Sequence, residues 1–166
     1  MPLIKHGTEI ENEWIFVEDA DFPSSVSGGG KVIVSLGFYL KHAEALMQRN
    51  APIGVRLAPA DDPSELVPYL DHIALIEVSF PKYTDGRGYS QAQLLRRRYT
   101  YTGELRAVGH VLRDQILYMN RSGFDGFETT RARLSECLEA LNEHSAFYQP
   151  SADGNRSVFA RRHEKV

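Results

Sequence analysis

Short apolar, strand-like runs alternate with helical patterns along most of this chain. The runs begin near residues 32, 53, 74, 104 and 125, so three of the four spacings are about 21 residues. The longer spacing contains a polar loop, residues 81–89. Such alternation is typical of right-handed βαβ units and a parallel sheet. We therefore predict an α/β fold, with repeated βα units forming a small parallel sheet with flanking helices. A half or truncated TIM-like barrel is the alternative.

The same patterns give bounds for the individual elements. Predicted strands cover residues 32–34, 53–57, 74–80, 104–108 and 124–128. Predicted helices cover residues 36–49, 62–70, 91–99, 110–121 and 131–147. Residues 1–30 have loop composition and a glycine-rich end, and we interpret them as an N-terminal arm whose one candidate strand is 13–18. Residues 31–149 then form a single α/β domain, and residues 150–166 form a flexible C-terminal tail.

Composition excludes several classes of protein. With 19 Lys and Arg against 22 Asp and Glu, the net charge of −3 is wrong for a globally basic nucleic-acid binder. One cysteine, Cys137, permits neither an internal disulfide nor a multi-cysteine metal site, and the six histidines lack metal-ligand spacing. No apolar run approaches the roughly 18 residues that cross a bilayer. We expect a cytoplasmic protein with no metal, and no flavin, nicotinamide, haem or iron–sulfur motif identifies a cofactor.

Charged residues occur inside four of the predicted strands. They are Arg56, Glu77, Arg106 and Glu128. A strand buried on both faces is normally a continuous apolar run, so these charges need partners or water. They either line a pocket near the carboxyl ends of the strands or form a structural ion-pair lattice. The sequence does not decide between these two accounts.

The segment 80–91 contains the densest set of chemically useful side chains. It follows a strand and precedes a helix, which is where α/β proteins bind ligands. Its cations are Lys82 and Arg87, and Asp85 is placed to order an arginine or to act as a base. Thr84, Tyr89, Ser90 and Gln91 add hydrogen-bonding groups. These residues predict a site for a small oxyanion or for an acidic group of a partner; the alternative is an ordered structural loop.

The next strand–helix junction adds Arg106, Arg113 and Gln115 to the candidate site. Arg113 stands in the first turn of a predicted helix, where a cation is unfavourable unless an anion is close. If the protein is an enzyme, Asp85 and Glu77 are the candidate catalytic bases. The run Arg96, Arg97 and Arg98 is interpreted as a solvated helix end, because consecutive helical residues point about 100° apart.

Several motifs resemble a bacterial family of unknown function. They are FPKYTDGRGYSQA at 80–92, GELRAVG at 103–109, VLRDQ at 111–115, GFDGFE at 123–128 and AFYQ at 146–149. The resemblance covers about residues 31–149. Members of this family are described as oxidoreductases of sulfite reduction, because their genes lie beside sulfite reductase genes.

The resemblance implies a pathway rather than a mechanism. We expect an accessory protein of assimilatory sulfite reduction that binds a small oxyanion or docks onto sulfite reductase. The second hypothesis is an oxidoreductase or other enzyme of sulfur metabolism with an Arg/Asp-lined site. The third is an interaction scaffold without a small-molecule site. A small sheet or half barrel exposes apolar surface, so we also expect a homodimer. From the composition given above, we expect no nucleic-acid or membrane partner.

Overall fold

A computed structural model describes residues 3–5, 7–17, 29–129, 133–144, 146–152 and 157–162. Its strands are β1 (Leu3–Lys5), β2 (Thr8–Ile10), β3 (Ile15–Phe16), β4 (Val32–Ser35), β5 (Ile53–Leu57), β6 (Leu75–Phe80), β7 (Glu104–Gly109) and β8 (Gly126–Glu128). Its α-helices are α1 (Leu36–Met47), α2 (Arg87–Gln93), α3 (Arg113–Ser122), α4 (Leu134–Leu141) and α5 (Val158–Arg162). A 3₁₀ helix covers Pro63–His72, and a π-helix covers Leu94–Arg98.

The eight strands form one sheet in the order β2-β1-β8-β7-β6-β5-β4-β3. From β4 to β8 each strand pairs in parallel with the one before it in the chain. Strands β1 and β2 then continue the sheet beyond β8 as antiparallel strands. The sheet curls into a half barrel with helices outside it, so both the α/β prediction and its half-barrel alternative are confirmed.

The curl of the sheet follows from the length of one connection. Strands β2 and β3 lie at opposite edges, seven strand spacings apart, which is about 34 Å along a flat sheet. The five residue steps from Ile10 to Ile15 span at most about 18 Å. The sheet must therefore bend until residues 11–14, here called the strap, pass across its inner face. Residues before 31 thus contribute three strands to the sheet.

The hydrophobic core lies on the outer face of the sheet. Side chains alternate between the two faces along each strand, and the outward set includes Val55, Leu57, Val78 and Phe80. These residues are in one cluster with the buried faces of α1, α2, α3 and α4. Burial of this apolar surface is the main stabilising contribution, and it directs the other set of strand residues to the inner face.

The helices differ from the sequence-based bounds at their ends. Ser35 and Asp62 cap their helices, since their side chains accept hydrogen bonds from backbone N–H groups of the following turns. The segment predicted as a helix over 91–99 begins earlier, at Arg87, and changes to a π-helix at Leu94. The helix predicted over 131–147 is shorter: α4 ends at Leu141, where the Asn142 amide donates to the Leu138 carbonyl, and residue 131 lies outside the described residues. Within the predicted tail, Val158–Arg162 form α5.

Candidate functional site

Charged side chains form a row across the inner face of the sheet. The strand register places Ser35, Arg56, Glu77 and Arg106 beside one another on β4 to β7. Glu104 lies two residues before Arg106 and therefore on the same face. The periodicity of β7 places this acid and base together in the sequence itself, although Glu104 was not among the predicted site residues.

The row is a continuous set of ion pairs with alternating charge. Glu77 Oε2 accepts from Arg56 Nε at 2.8 Å, and Glu77 Oε1 accepts from Arg106 Nη1 at 3.3 Å. Arg106 Nη2 donates to Glu104 Oε1 at 2.8 Å, and Lys5 Nζ donates to Glu104 Oε2 at 2.7 Å. Glu77 is fully buried and Arg106 is 1% exposed. These contacts are those of an ion-pair lattice, in which each buried charge has an opposite partner.

The strap covers this lattice. Asn12 Nδ2 donates to Glu128 Oε2 at 3.0 Å, and Asn12 Oδ1 accepts from Arg106 Nη1 at 3.0 Å. Trp14 lies over Gly54, where a Cβ atom would be 3.3 Å from its ring. Phe16, at the end of the crossing, has its ring centre 3.8 Å from Arg56 Cζ. The part played by Asn12 was missed from the sequence because no local pattern links it to strands 94 residues away.

The pKa values of the two carboxyl groups in the lattice, Glu77 and Glu104, are shifted in opposite directions. Burial raises the pKa of Glu77, although Arg56 and Arg106 act to lower it. Burial also acts to raise the pKa of Glu104, but hydrogen bonds from Lys5 and Arg106 outweigh it and lower that pKa. Glu77 is the candidate base that lies here, and both of its oxygens already accept hydrogen bonds from arginines.

The other candidate base, Asp85, lies in the exposed loop before α2. Its Oδ1 accepts from the Arg87 backbone N–H at 3.2 Å and from Arg87 Nε at 3.0 Å, while Oδ2 accepts from Arg87 Nη2 at 2.7 Å. The side-chain and backbone hydrogen bonds from Arg87 lower the pKa of Asp85. An ionised carboxylate of the chain itself therefore occupies the guanidinium and the first N–H of α2.

The same loop is attached to the start of α3. Gln115 Nε2 donates to the Tyr83 carbonyl at 2.8 Å, while Gln115 Oε1 accepts from the Leu112 backbone N–H at 3.3 Å. Below them the His110 backbone N–H donates to the Phe80 carbonyl at 2.7 Å. The two strand–helix junctions predicted to form a site therefore do meet, through Gln115.

The remaining predicted site residues have different surroundings. Lys82, Thr84 and Ser90 are exposed. Tyr89 is half-buried against Phe80, with ring centres 5.6 Å apart, and burial raises its pKa. Gln91 points inward and donates to the carbonyls of Ala58 and Asp61, while Arg113 reaches Glu143 at 3.8 Å. Arg106 thus lies in the lattice, Gln91 lies in the interior, and the exposed candidates stay near the loop.

Two exposed aromatic residues, one within this loop and one on α3, were not predicted. Tyr83 is 56% exposed and Tyr118, on α3, is 62% exposed. Tyr118 is three residues after Gln115 and so lies on the same side of α3 as the contact with the loop. An exposed aromatic pair cannot be distinguished from core aromatics by composition, and helical periodicity over α3 was the only sequence signal.

The arginine run 96–98 is divided between interior and surface. Arg96 donates from Nε to the Gly123 carbonyl and from Nη1 to the carbonyls of Tyr101 and Gly103, and it forms an ion pair with Asp125. Its side chain is only 14% exposed, so it does not belong to a solvated helix end. Arg97 and Arg98 are exposed.

The described residues include neither a metal-binding cluster nor a membrane-spanning helix. Within the described ranges, no three His, Cys, Asp or Glu residues are grouped closely enough to hold a metal ion. Cys137 is a buried free thiol, and burial raises its pKa. In the same part of the chain, no helix has the length and apolar character needed to cross a membrane.

Comparison with known proteins gives one assignment. A search of curated proteins found no match to the chain. The model of a bacterial family of proteins of unknown function, DUF934, matches residues 54–159. The matched region extends from β5 to α5 and includes the loop, α2, the π-helix and α3. The chain therefore belongs to the DUF934 family of bacterial proteins of unknown function.

Proposed function

We propose that this chain is a cytoplasmic accessory protein of assimilatory sulfite reduction that docks onto sulfite reductase. The pathway is taken from the resemblance described above, because members of the family that this chain resembles have genes beside sulfite reductase genes. The docking face is the surface formed by Lys82, Tyr83, Thr84, Arg87 and Tyr118, here called the loop surface. The observation that carries the proposal is the exposure of Tyr83 beside two cations on a loop that Gln115 holds in place. Tyr118 is exposed one turn further along α3.

The chemistry of the loop surface is that of a protein interface. Tyrosine and arginine are enriched among the residues that contribute most to binding, because they combine large apolar area with directed polar groups. Tyr83 is exposed while its own carbonyl is fixed by Gln115, so less conformational freedom is lost when a partner binds. Among the described residues, Lys82 has no ion-pair partner and is available to an acidic partner surface.

The contacts of Arg87 favour docking over the binding of a small oxyanion. Asp85 already accepts three hydrogen bonds from this residue, so a free anion would have to displace a carboxylate of the same chain. The attraction between a sulfite ion and solvent-exposed cations is itself weak, because water and salt screen it. A protein partner adds the burial of Tyr83 and Tyr118, which a sulfite ion cannot supply.

Catalysis would require a different arrangement of the two candidate bases. Asp85 and Glu77 each have both carboxylate oxygens in hydrogen bonds with arginines. A proton acceptor must reach the proton it removes with a free lone pair and suitable geometry. An enzyme with an Arg/Asp-lined site therefore has less support here than a docking protein.

Binding to purified sulfite reductase, followed by biolayer interferometry, tests the proposal. We expect Tyr83→Ala to weaken binding by at least about tenfold, because an interface aromatic commonly contributes more than 1.4 kcal/mol. Lys82→Glu combined with Arg87→Glu should weaken it further and reduce its salt dependence. The matched control is Lys41→Glu combined with Arg162→Glu, which makes the same charge change at exposed residues elsewhere.

Three results would contradict docking. They are no binding by the wild-type chain, equal losses in the control, or full binding by Tyr83→Ala. Thermal unfolding with sulfite separates the alternatives: a rise in melting temperature that Arg87→Ala abolishes would favour the oxyanion hypothesis. Turnover of sulfite by the chain alone, with an electron donor, would favour the enzyme hypothesis.

A further inference from the structure

A shallow groove runs along the exposed side of α2 and the π-helix that follows it. It has a volume of about 530 Å³ and is lined by Ser90, Gln93, Leu94, Arg97 and Arg98. We propose that this groove, here called the arginine groove, binds an acidic peptide segment in which carboxylates flank an apolar side chain. The inference concerns a different surface from the loop surface, and it holds whether or not sulfite reductase is the partner there.

The direction of the two arginines is fixed by their neighbours. Arg96 is held inward by three backbone carbonyls and Asp125, and Leu95 is fully buried. With the residues on one side of the π-helix anchored in this way, Arg97 and Arg98 point to solvent. Neither forms an ion pair with any residue in the described part of the chain; Arg98 lies 6.0 Å from the Tyr99 ring centre. Two adjacent unpaired guanidinium groups favour a ligand that carries negative charge.

Unfavourable backbone conformations are concentrated where the π-helix ends. The Tyr99 N–H donates to the Leu94 carbonyl, five residues back, at 3.0 Å, which is the π-helical pattern. Thr100 follows with a φ of 54°, a conformation that a β-branched residue rarely adopts. Wide π-turns and left-handed non-glycine residues persist mainly where a function depends on the local geometry. Both features fix where the chain turns away from Arg97 and Arg98.

The lining of the groove specifies the ligand. Arg97, Arg98 and the Gln93 amide supply donors, and Ser90 supplies a hydroxyl group, so the ligand must supply acceptors. Half-buried Leu94 lies among them and offers an apolar contact. A single small oxyanion would use only one or two exposed charges, which solvent screens strongly. A peptide engages both arginines and Leu94 together, so that its several weak contacts act as one binding event.

A nucleic acid fits the groove less well than an acidic peptide. Binding to a phosphate backbone needs an extended positive surface, whereas this chain has a net charge of −3. Within the groove lining there is no aromatic ring on which a base could stack, since the five side chains that form it are polar or aliphatic. The occupant is therefore a protein segment of acidic and apolar composition.

Fluorescence anisotropy with a labelled peptide of alternating Glu and Leu residues tests this proposal. The wild-type chain should bind the peptide at low salt, and Arg97→Glu combined with Arg98→Glu should weaken binding by at least about tenfold. The matched control, Arg161→Glu combined with Arg162→Glu, makes the same charge change on exposed α5 and should bind like the wild type. A peptide with Ser in place of Leu should bind more weakly than the parent. Melting temperatures of all variants establish that they are folded.

Several outcomes would overturn the proposal. Equal weakening by both double variants would mean that the peptide responds only to total charge. Equal binding of the Leu and Ser peptides, or complete displacement by millimolar inorganic phosphate, would mean that the groove takes a simple anion. If the wild-type chain sediments as a dimer and the variant with Arg97→Glu and Arg98→Glu sediments as a monomer, a second copy of this chain occupies the groove. No binding by the folded wild-type chain would also contradict it.

Discussion

The side chain of Glu77, on β6, links the two neighbouring strands β5 and β7 through ion pairs. It lies between Arg56 and Arg106 on the inner face and is fully buried. Without this carboxylate Arg56 would lose its ion-pair partner, and the buried Arg106 would keep only its ion pair with Glu104. Breaking a buried pair costs more than the pair contributes, because the remaining charge has lost its hydration.

Glu77→Gln should therefore destabilise the protein strongly although it preserves the shape of the side chain. We expect the free energy of unfolding to fall by about 3 kcal/mol, measured by urea denaturation at neutral pH. The exposed residue Glu65 provides the control, and Glu65→Gln should change stability by less than about 0.5 kcal/mol. A similar small change in Glu77→Gln would mean that the inner face is hydrated.

The lowered pKa of Glu104 predicts how the stability of the protein depends on pH in the acidic range. Its pKa in the folded state is below the ordinary value of 4.5, so the unfolded chain takes up a proton first as the pH falls. The stabilisation from this carboxylate is thus complete at neutral pH and is lost as the pH falls from the ordinary value through the lower folded value.

Melting temperatures measured from neutral to strongly acidic pH should fall in that acidic range. In Glu104→Gln the melting temperature should already be lower at neutral pH, and its further decrease in acid should be shallower, because the linked carboxylate is gone. Glu65→Gln should retain the wild-type profile. An identical acid profile for Glu104→Gln and the wild type would contradict a role for the Lys5 and Arg106 contacts.

At the scale of the elements, the approach of α2 to β6 depends on a glycine. A Cβ atom on Gly88 would lie 2.5 Å from Phe80 Cζ and 2.9 Å from Val78 Cγ1, both of which belong to the core. The absence of a side chain therefore lets α2 begin directly against the sheet. This contact also positions Arg87 and Ser90, the residues that connect α2 to the two proposed interfaces.

Gly88→Ala should destabilise the protein even though alanine favours helices. Overpacking typically costs about 1–3 kcal/mol, which exceeds or offsets the helix propensity gain of about 1 kcal/mol. Gly86→Ala is the matched control, because nothing lies within 4 Å of its Cβ position, and it should be neutral or stabilising. Thermal unfolding of the two variants compares them directly, and a more stable Gly88→Ala would show that α2 is free to shift outward.

At the scale of the whole molecule, the N-terminal segment completes the half barrel from both edges. β1 and β2 extend the sheet beyond β8, β3 extends it beyond β4, and the strap crosses the inner face between them. Leu3, Ile4 and Val17 are buried by this arrangement. Glu77 and Arg106, the most buried charges of the lattice, are consequently shielded from water by residues that are distant from them in the sequence.

Deleting residues 1–17 should expose the inner face. We expect a loss of more than about 4 kcal/mol of stability, since three buried aliphatic side chains contribute about 1.5–3 kcal/mol each, and strong binding of the dye ANS. Deleting residues 157–166 is the comparison, because α5 has no buried residue, and ANS fluorescence should then stay near the wild-type level. A truncated chain without residues 1–17 that melts cooperatively at the wild-type temperature would contradict this role.

The amino-acid sequence was enough to predict the α/β fold, because the spacing of strand and helix patterns is a local property that apolar burial enforces. It also identified the charges on the inner strands and the polar loop before α2. Tertiary structure alone decided their partners: Arg106 belongs to the lattice, Gln91 points inward, Asp85 pairs with Arg87, and the arginines after Arg96 face solvent. Strands β1 and β2, of three residues each, are too short to show a period. Their place in the sheet depends on β8, which lies more than a hundred residues away, and no local pattern reports such a contact.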